Sequence, residues 1–231
     1  MKKVILSLIT LLAATTLATA QMRPTIKVEA GANFSNMTGK ANGETNDGDI
    51  LTGYRVGAGV EFAISDGFYI NPGLYFLSRG TKATVELPKM TDYAMKVVSS
   101  TWLHNVEIPV HVGYRVAVAP DMAVSIQAGP WFSYGFLGKR VYKATGEGLA
   151  ADAAKKIVDE LNKGDNNPYK DGKAVKQSLK PFDLGVGMQA AFEYRQFGVN
   201  LGFEYGLLNT SNIDNVKVNN MNFYVGLGYR F

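Results

Sequence analysis

One short stretch of the sequence has the side chains that nucleophilic catalysis requires. His104 follows three hydroxyl residues, Ser99, Ser100 and Thr101, and the only other histidine is His111. A hydroxyl nucleophile needs a base within hydrogen-bond reach and a third group that orients this base. The spacing of the residues does not indicate which acid would orient His104. Neighbours in sequence alone do not form a catalytic triad. We therefore expect no catalytic residues, and keep lipid modification through His104 as an alternative.

Charged side chains form a second set of candidates, because they recur at every second position of otherwise apolar segments. The members of this set are Lys27, Glu29, Arg55, Glu61, Glu107, Arg115, Asp183, Glu193, Glu204 and Arg230, and Arg79 and Arg195 are expected to face the same way. Inside a barrel they would line a selective pore or ligand site, or fill the bore with interlocked ion pairs. Eight strands leave a bore only wide enough for side chains or one small ligand. We therefore predict a structural polar network, with no cofactor and no metal.

The segments that carry these charges alternate as β-strands do. One face of the last segment, 221–231, carries the large apolar residues Phe223, Val225, Leu227, Tyr229 and Phe231. The other face is polar or very small, and successive side chains of a strand point to opposite faces. The same pattern recurs near residues 26–36, 52–64, 68–79, 102–115, 122–133, 182–195 and 197–205. Eight antiparallel strands are therefore predicted.

Three features indicate that the apolar face points outward into lipid. The polar face is rich in glycine, which suits a crowded lumen rather than a solvated surface. Aromatic residues collect at both ends of the apolar face, as they do at the two interfaces of a bilayer. Tight turns near 65–67, 119–121 and 195–196 alternate with long connections near 37–51, 80–101, 135–180 and 208–220. Because an open strand edge in lipid is costly, we predict an all-β, eight-stranded, antiparallel up-and-down transmembrane β-barrel.

The N-terminus has the pattern of a secretory signal peptide. Lys2 and Lys3 precede an apolar stretch, 4–12, and Ala18-Thr19-Ala20 provides a small-residue cleavage site. We therefore divide the chain into a signal peptide, 1–20, and a barrel domain, 21–231, that is exported to the cell outer membrane. Without Lys2 and Lys3, 22 basic side chains face 20 acidic ones, so no nucleic-acid partner is implied.

The longest connection, 135–180, carries the one predicted helix. Leu149, Ala153, Ile157 and Leu161 are spaced four apart, which predicts a short helix over 149–161 in this extracellular loop. Between Lys139 and Lys180 the loop has ten basic and six acidic residues. It could recognise a partner, contact anionic lipopolysaccharide, or cap the barrel mouth. It could equally be a solvated loop whose helix packs on the rim.

Several short motifs, in order along the chain, resemble a known family. They are Lys27–Ser35, Pro72–Phe76 with Arg79-Gly80, Glu107–Val110, Ala128–Pro130, Asp183–Gly187 and Gly228–Phe231. Together they resemble the PorT-like small outer-membrane β-barrel family of Bacteroidetes, also described as the outer membrane protein β-barrel domain. The resemblance implies that Phe231 is the assembly signal read by the barrel insertion machinery. It supplies no catalytic motif.

These patterns predict a non-enzymatic outer-membrane barrel with a structural role or an interaction role in its surface loops. The expected partners are outer-membrane lipid, lipopolysaccharide and, during assembly, the insertion machinery. Two alternatives stay open. One is an accessory role in type IX secretion, with which PorT is associated. The other is a lipid-modifying enzyme of the outer leaflet that would act through His104.

Overall fold

The computed structural model describes residues 24–41, 44–87, 95–146, 149–164, 166–170 and 177–231. The predicted signal peptide, 1–20, lies outside these residues. The described chain forms nine strands and one helix, α1, which spans Leu149–Lys163. The strands are β1 (Thr25–Ala41), β2 (Glu44–Asp47), β3 (Leu51–Ser65), β4 (Phe68–Leu87), β5 (Met95–Ala119), β6 (Met122–Thr145), β7 (Phe182–Tyr194), β8 (Phe197–Gly206) and β9 (Val216–Arg230).

The strands form one antiparallel sheet that closes on itself. Neighbours along the sheet are β2, β1, β3 and then β4 to β9 in sequence order, and β9 returns to pair with β1. Eight strands therefore make the ring, and the described part has nine rather than the predicted eight. The additional strand is β2, which lies outside the ring. β1 continues beyond the end of its pairing with β3, and β2 pairs with the last four residues of β1.

The ring is staggered, so its strands are tilted. Following hydrogen-bonded partners from Lys27 once round the ring leads back to β1 at Met37, ten residues further along. Such a stagger over eight strands corresponds to a tilt of about 40°, within the usual range for barrels. The bore of this barrel is therefore narrow, and side chains from strands far apart in sequence meet inside it.

Tight turns join strand pairs at one end of the barrel, which we call the short-turn end. Asp66-Gly67, Pro120-Asp121 and Arg195-Gln196 are the turns, as predicted from the sequence. Gly67, Asp121 and Arg195 have φ values of 81°, 63° and 54°. Positive φ is what two-residue hairpin turns require, because their backbone then matches the twist of the strands. The opposite, long-loop end carries the longer connections.

The apolar face lies on the outside of the barrel, as the alternation predicted. Val56, Val112, Ile126 and Leu201 are each about half exposed, whereas the charged residues of the alternate positions are buried. Aromatic contacts join neighbouring strands at both ends of this apolar band. Examples are Phe34–Phe223 at the long-loop end, with ring centroids 6.3 Å apart, and Phe68–Tyr114 at the short-turn end, 4.6 Å apart.

Three strands extend far beyond the length that a bilayer requires. β4, β5 and β6 have 20, 25 and 24 residues, whereas β7 and β8 have 13 and 10. About 9–11 tilted residues cross a bilayer. The excess forms a three-stranded extension at the long-loop end, here called the ridge (80–87, 95–103 and 138–145). The sequence predicts long connections near 80–101 and 135–180 instead, because strands beyond the bilayer bury no continuous apolar face.

Helix α1 covers the free edge of the ridge, at the position predicted from its four-residue spacing. The Tyr142 N–H donates to Asn162 Oδ1 at 2.9 Å, and Asn162 Nδ2 donates to the Tyr142 carbonyl at 2.8 Å. The Asn162 side-chain amide thereby satisfies the backbone groups of Tyr142, which lies in the part of β6 beyond its pairing with β7. Among the described residues, no helix is long and apolar enough to cross a membrane.

Candidate functional site

The lumen contains two ion-pair quartets, one above the other. The lower quartet, near the short-turn end, joins Glu61, Arg115, Glu193 and Arg230 from four strands. Arg115 contacts Glu61 at 2.8 Å and Glu193 at 3.0 Å, and Arg230 contacts the same carboxylates at 2.9 and 3.2 Å. Both glutamates are buried, while the two arginines are 18% and 24% exposed. Each charge has two opposite neighbours, so the charges of the quartet balance.

The upper quartet is formed by Arg55, Arg79, Glu107 and Glu204, and none of its side chains is more than 5% exposed. Arg55 contacts Glu107 at 2.6 Å and Glu204 at 3.0 Å. Arg79 contacts Glu204 at 2.9 Å and also pairs with Glu107. The four charges balance, and they join β3, β4, β5 and β8 across the bore. Removing one of them would leave an opposite charge buried and unpaired.

Aromatic rings enclose the arginines of the upper quartet. The Arg55 guanidinium lies over the rings of Tyr75 and Tyr224, at 4.1 and 4.5 Å from their centroids. Arg79 lies 4.4 Å from the Trp131 ring, and Trp131 Nε1 donates to the Val186 carbonyl at 3.1 Å. Such stacking stabilises a cation that has lost its water. Trp131 was missed in the sequence, although it lies two residues from Gly129 and Ser133 on the same face.

A further buried polar cluster is centred on Glu29. Its carboxylate lies 2.6 Å from Lys27 Nζ and accepts hydrogen bonds from Tyr75, Gln189 and Asn200 at 2.9, 3.0 and 3.0 Å. This side chain is 6% exposed. Through Tyr75, which lies against Arg55, this cluster adjoins the upper quartet.

Two predicted lumen charges behave differently from the rest. Asp183 is buried outside both quartets and outside the Lys27–Glu29 pair, and its Oδ2 accepts a hydrogen bond from Asn220 Nδ2 at 2.7 Å. The expectation that Arg195 faces the lumen is wrong. Arg195 lies in the β7–β8 turn and pairs with Asp121 at 3.3 Å, and both are exposed. The alternation ends at Tyr194, because the turn rotates the next side chain away from the sheet.

A cap closes the lumen at the long-loop end. It consists of residues 166–170 and 177–181 from the long connection, and its Leu179 forms a β-bridge with Ser211. Leu179 packs with Met37 and Leu103, and the Tyr169 hydroxyl donates to Asn105 Oδ1 at 3.2 Å. Loss of surrounding water raises the pKa of Tyr169 above its usual value. Part of the 135–180 connection therefore caps the mouth, one of the roles that the sequence left open.

Glycine is required beneath the cap. A Cβ atom on Gly135 would lie 2.2 Å from the Tyr169 ring. Only about 10 Å³ of cavity remains between the cap, Arg79 and Asp183, about enough for one water molecule. The short-turn end differs, since a vestibule of about 790 Å³ reaches Glu193 and Arg230 of the lower quartet. The cap thus closes the long-loop end, whereas the vestibule at the short-turn end gives access only as far as the lower quartet.

A sequence model of the outer membrane protein beta-barrel domain matches residues 19–212. The chain belongs to this family. The long-loop end of such a barrel faces the cell exterior, and the short-turn end faces the periplasm. No curated protein sequence matches the chain.

Solved structures similar to this outer membrane protein beta-barrel domain have low sequence identity. Ail, the attachment invasion locus protein of Yersinia pestis, is 12% identical, with a TM-score of 0.39 and coverage of 91% of this chain and 100% of Ail. Neisserial surface protein A is 12% identical, with a TM-score of 0.42 and coverage of 89% and 97%. OprG from Pseudomonas aeruginosa is 10% identical, with a TM-score of 0.45 and coverage of 90% and 95%.

The two histidines lie on opposite faces of the barrel domain. His111 is buried in the lumen. His104 lies on the outer face, where its Nδ1 is 3.1 Å from the Tyr54 hydroxyl. The described contacts include no hydrogen bond between His104 and the hydroxyls of 99–101. Across the described residues, no group of His, Asp and Glu side chains could hold a metal ion.

Phe231 ends the barrel domain at the periplasmic rim. It is 74% exposed, its N–H donates to the Ile26 carbonyl at 2.9 Å, and its ring lies 4.9 Å from that of Tyr229. The ring on this last strand is exposed and makes few contacts in the finished barrel.

Because the resemblance to the PorT-like family implies that Phe231 is an assembly signal, Phe231→Ser is expected to lower the amount of barrel in the outer membrane without lowering its stability. Quantitative blotting of outer-membrane fractions should show most of the protein lost, whereas the purified variant should refold in detergent as the parent does. Tyr134→Ser, at the opposite rim, is the control and should assemble normally. A variant that is equally abundant in the membrane would contradict a role of Phe231 in assembly.

Proposed function

We propose that this outer-membrane barrel is a closed, non-enzymatic protein that acts through the structures it presents at the cell surface. The observation that carries the proposal is the upper quartet, which crosses the bore with four buried, paired charges. Glu29 with its partners below and the cap above leave no room for a solute. Transport through the lumen is therefore excluded from the role we propose.

The ridge supports a surface role, because it is ordered structure beyond the length that crossing requires. A barrel that only strengthened the membrane would gain nothing from strands of 24 and 25 residues. Helix α1 adds an exposed face to the ridge, including Ile157, Lys155 and Lys156. We infer that the ridge and α1 together form the surface that meets a partner.

Planar bilayer recording tests whether the bore is closed. The purified barrel is expected to produce no steady conductance, and Tyr169→Ala/Leu179→Ala, which opens the cap, should also remain silent. The reason is that the quartets still block the bore beneath the cap. Ion-selective steps from the parent protein would contradict the proposal, and steps from the cap variant alone would assign the blockage to the cap.

We also propose that 1–20 directs export and is removed.

A PorT-type accessory role in type IX secretion is a narrower proposal, supported by the resemblance of the short motifs. Deletion of the gene in its own host tests the secretion role. Unchanged export of cargo proteins would exclude that role and leave the closed barrel as proposed.

A further inference from the structure

A basic groove lies at the long-loop end, between β1, the cap and the β8–β9 loop. Its volume is about 760 Å³. The lining includes three lysines, Lys40, Lys180 and Lys217, and one carboxylate, Asp214. We call this site the lysine groove. Its lining carries a net positive charge.

Two of these lysines lie close enough to repel each other. Lys40 on β1 and Lys217 on β9 are direct cross-strand partners. Like charges opposite each other on neighbouring strands are destabilising. Within the described part of the chain, neither they nor Lys180 form an ion pair with a carboxylate. The repulsion between Lys40 and Lys217 does not stabilise the barrel, and a bound anion would reduce it.

The height of the groove relative to the bilayer limits what the anion can be. Lys40 lies on the same face of β1 as Phe34, and Lys217 lies on the same face of β9 as Phe223. Six residues separate each lysine from its phenylalanine, which is roughly 20 Å along a strand. Because the Phe34–Phe223 contact belongs to the outer aromatic rim, the groove lies above the acyl chains. This is the level of the saccharide heads of outer-leaflet lipid.

The distribution of lysines between the two ends agrees with this position. The three periplasmic turns contain no lysine, and their charged residues are Asp66, Asp121 and Arg195. The exposed lysines of the described chain lie at the long-loop end. A ligand with negative charge is therefore expected at the cell surface and not at the periplasmic rim.

We propose that the lysine groove binds phosphate groups on the saccharide head of outer-leaflet lipopolysaccharide. Three ammonium groups supply donors and charge for phosphate oxygens, and an ammonium is a compact charge that suits such a group. The amide of Asn215 also lines the groove and can donate to a sugar hydroxyl. The proposal rests on the proposed function only in that the long-loop end meets the cell surface.

The test uses the full-length protein folded in micelles of a neutral detergent. Titration calorimetry measures binding of deacylated lipopolysaccharide that keeps its phosphates, of the same saccharide after dephosphorylation, and of inorganic phosphate. We expect the phosphorylated saccharide alone to bind, and Lys40→Ser/Lys217→Ser to weaken its affinity at least tenfold. Arg195→Ser removes a positive charge from an exposed periplasmic turn instead and should change the affinity less than twofold.

Each other result overturns the proposal. Unchanged affinity of the groove variant would exclude the groove, and equal losses in both variants would reduce the effect to net charge. Equal binding of dephosphorylated saccharide, or tight binding of inorganic phosphate alone, would exclude a lipopolysaccharide phosphate as the ligand. Heat-dependent migration in gels confirms that both variants are folded. Bilayer recordings are independent, so a conducting barrel would overturn the proposed function and leave the groove intact.

Discussion

Val225→Arg is expected to prevent most of the chain from inserting into a bilayer. Val225 lies on the outer face of β9, between Phe223 of the outer rim and Tyr229 of the periplasmic rim, and is therefore near the middle of the lipid. An arginine at the midplane of a barrel costs about 2–4 kcal/mol. The neighbouring Leu201 on β8 is its direct partner and offers only another apolar side chain.

Folding into liposomes, followed by heat-dependent migration in gels, measures this effect. Val225→Ala keeps the position apolar and should insert nearly as the parent does. Ile157→Arg introduces the same charge at an exposed residue of α1, outside the bilayer, and should have little effect. Comparable insertion of Val225→Arg and Ile157→Arg would mean that the outer face does not contact lipid.

Glu107→Gln is expected to lower the free energy of unfolding by about 3–5 kcal/mol, the usual cost of removing one partner from a buried ion pair. The substitution keeps the size of the side chain and removes its charge. Arg55 and Arg79 would then share only Glu204, and one positive charge would remain unbalanced in the bore. Because lipid surrounds the barrel at this level, water cannot easily hydrate the unpaired arginine.

Urea unfolding in detergent, monitored by tryptophan fluorescence, checks this value, and Trp131 reports directly because it lies against Arg79. Glu160→Gln is the matched control, because Glu160 pairs with Lys163 on the exposed surface of α1. Exposed pairs contribute about 0–1 kcal/mol. Glu107→Gln/Arg79→Gln should lose less than the sum of its single variants, since their charges compensate each other. Additive losses would show that the quartet does not act as a unit.

The alternation of residues was sufficient to predict the strands and their orientation. A period of two is a local property, so each segment reveals its own apolar face, and a shift of one residue would reverse it. Rims, turns and the helix over 149–161 followed from equally local patterns. These features needed no knowledge of which strands are neighbours.

The pairing of charges could not be predicted in the same way. The sequence identified the charged positions, but Arg55 meets Glu107 and Glu204 only because of the ten-residue stagger. This stagger is a property of the closed ring and not of any segment. The ridge was missed, and the cap was only one of several roles left open for the 135–180 connection, for a similar reason. Both depend on contacts that the local pattern of a segment does not contain. Arg195 was misplaced because one turn residue ends the alternation.

The first and last strands of the ring are neighbours, joined from Lys27–Arg230 to Ala41–Val216. Neither end of the sheet can therefore find its partner until β9 has been synthesised. Synthesis and insertion are consequently separate events, and an incomplete chain would hold two unsatisfied edges in lipid. A nonsense mutation anywhere before β9 removes the closing strand, so such a truncated chain cannot complete its ring of hydrogen bonds in the membrane.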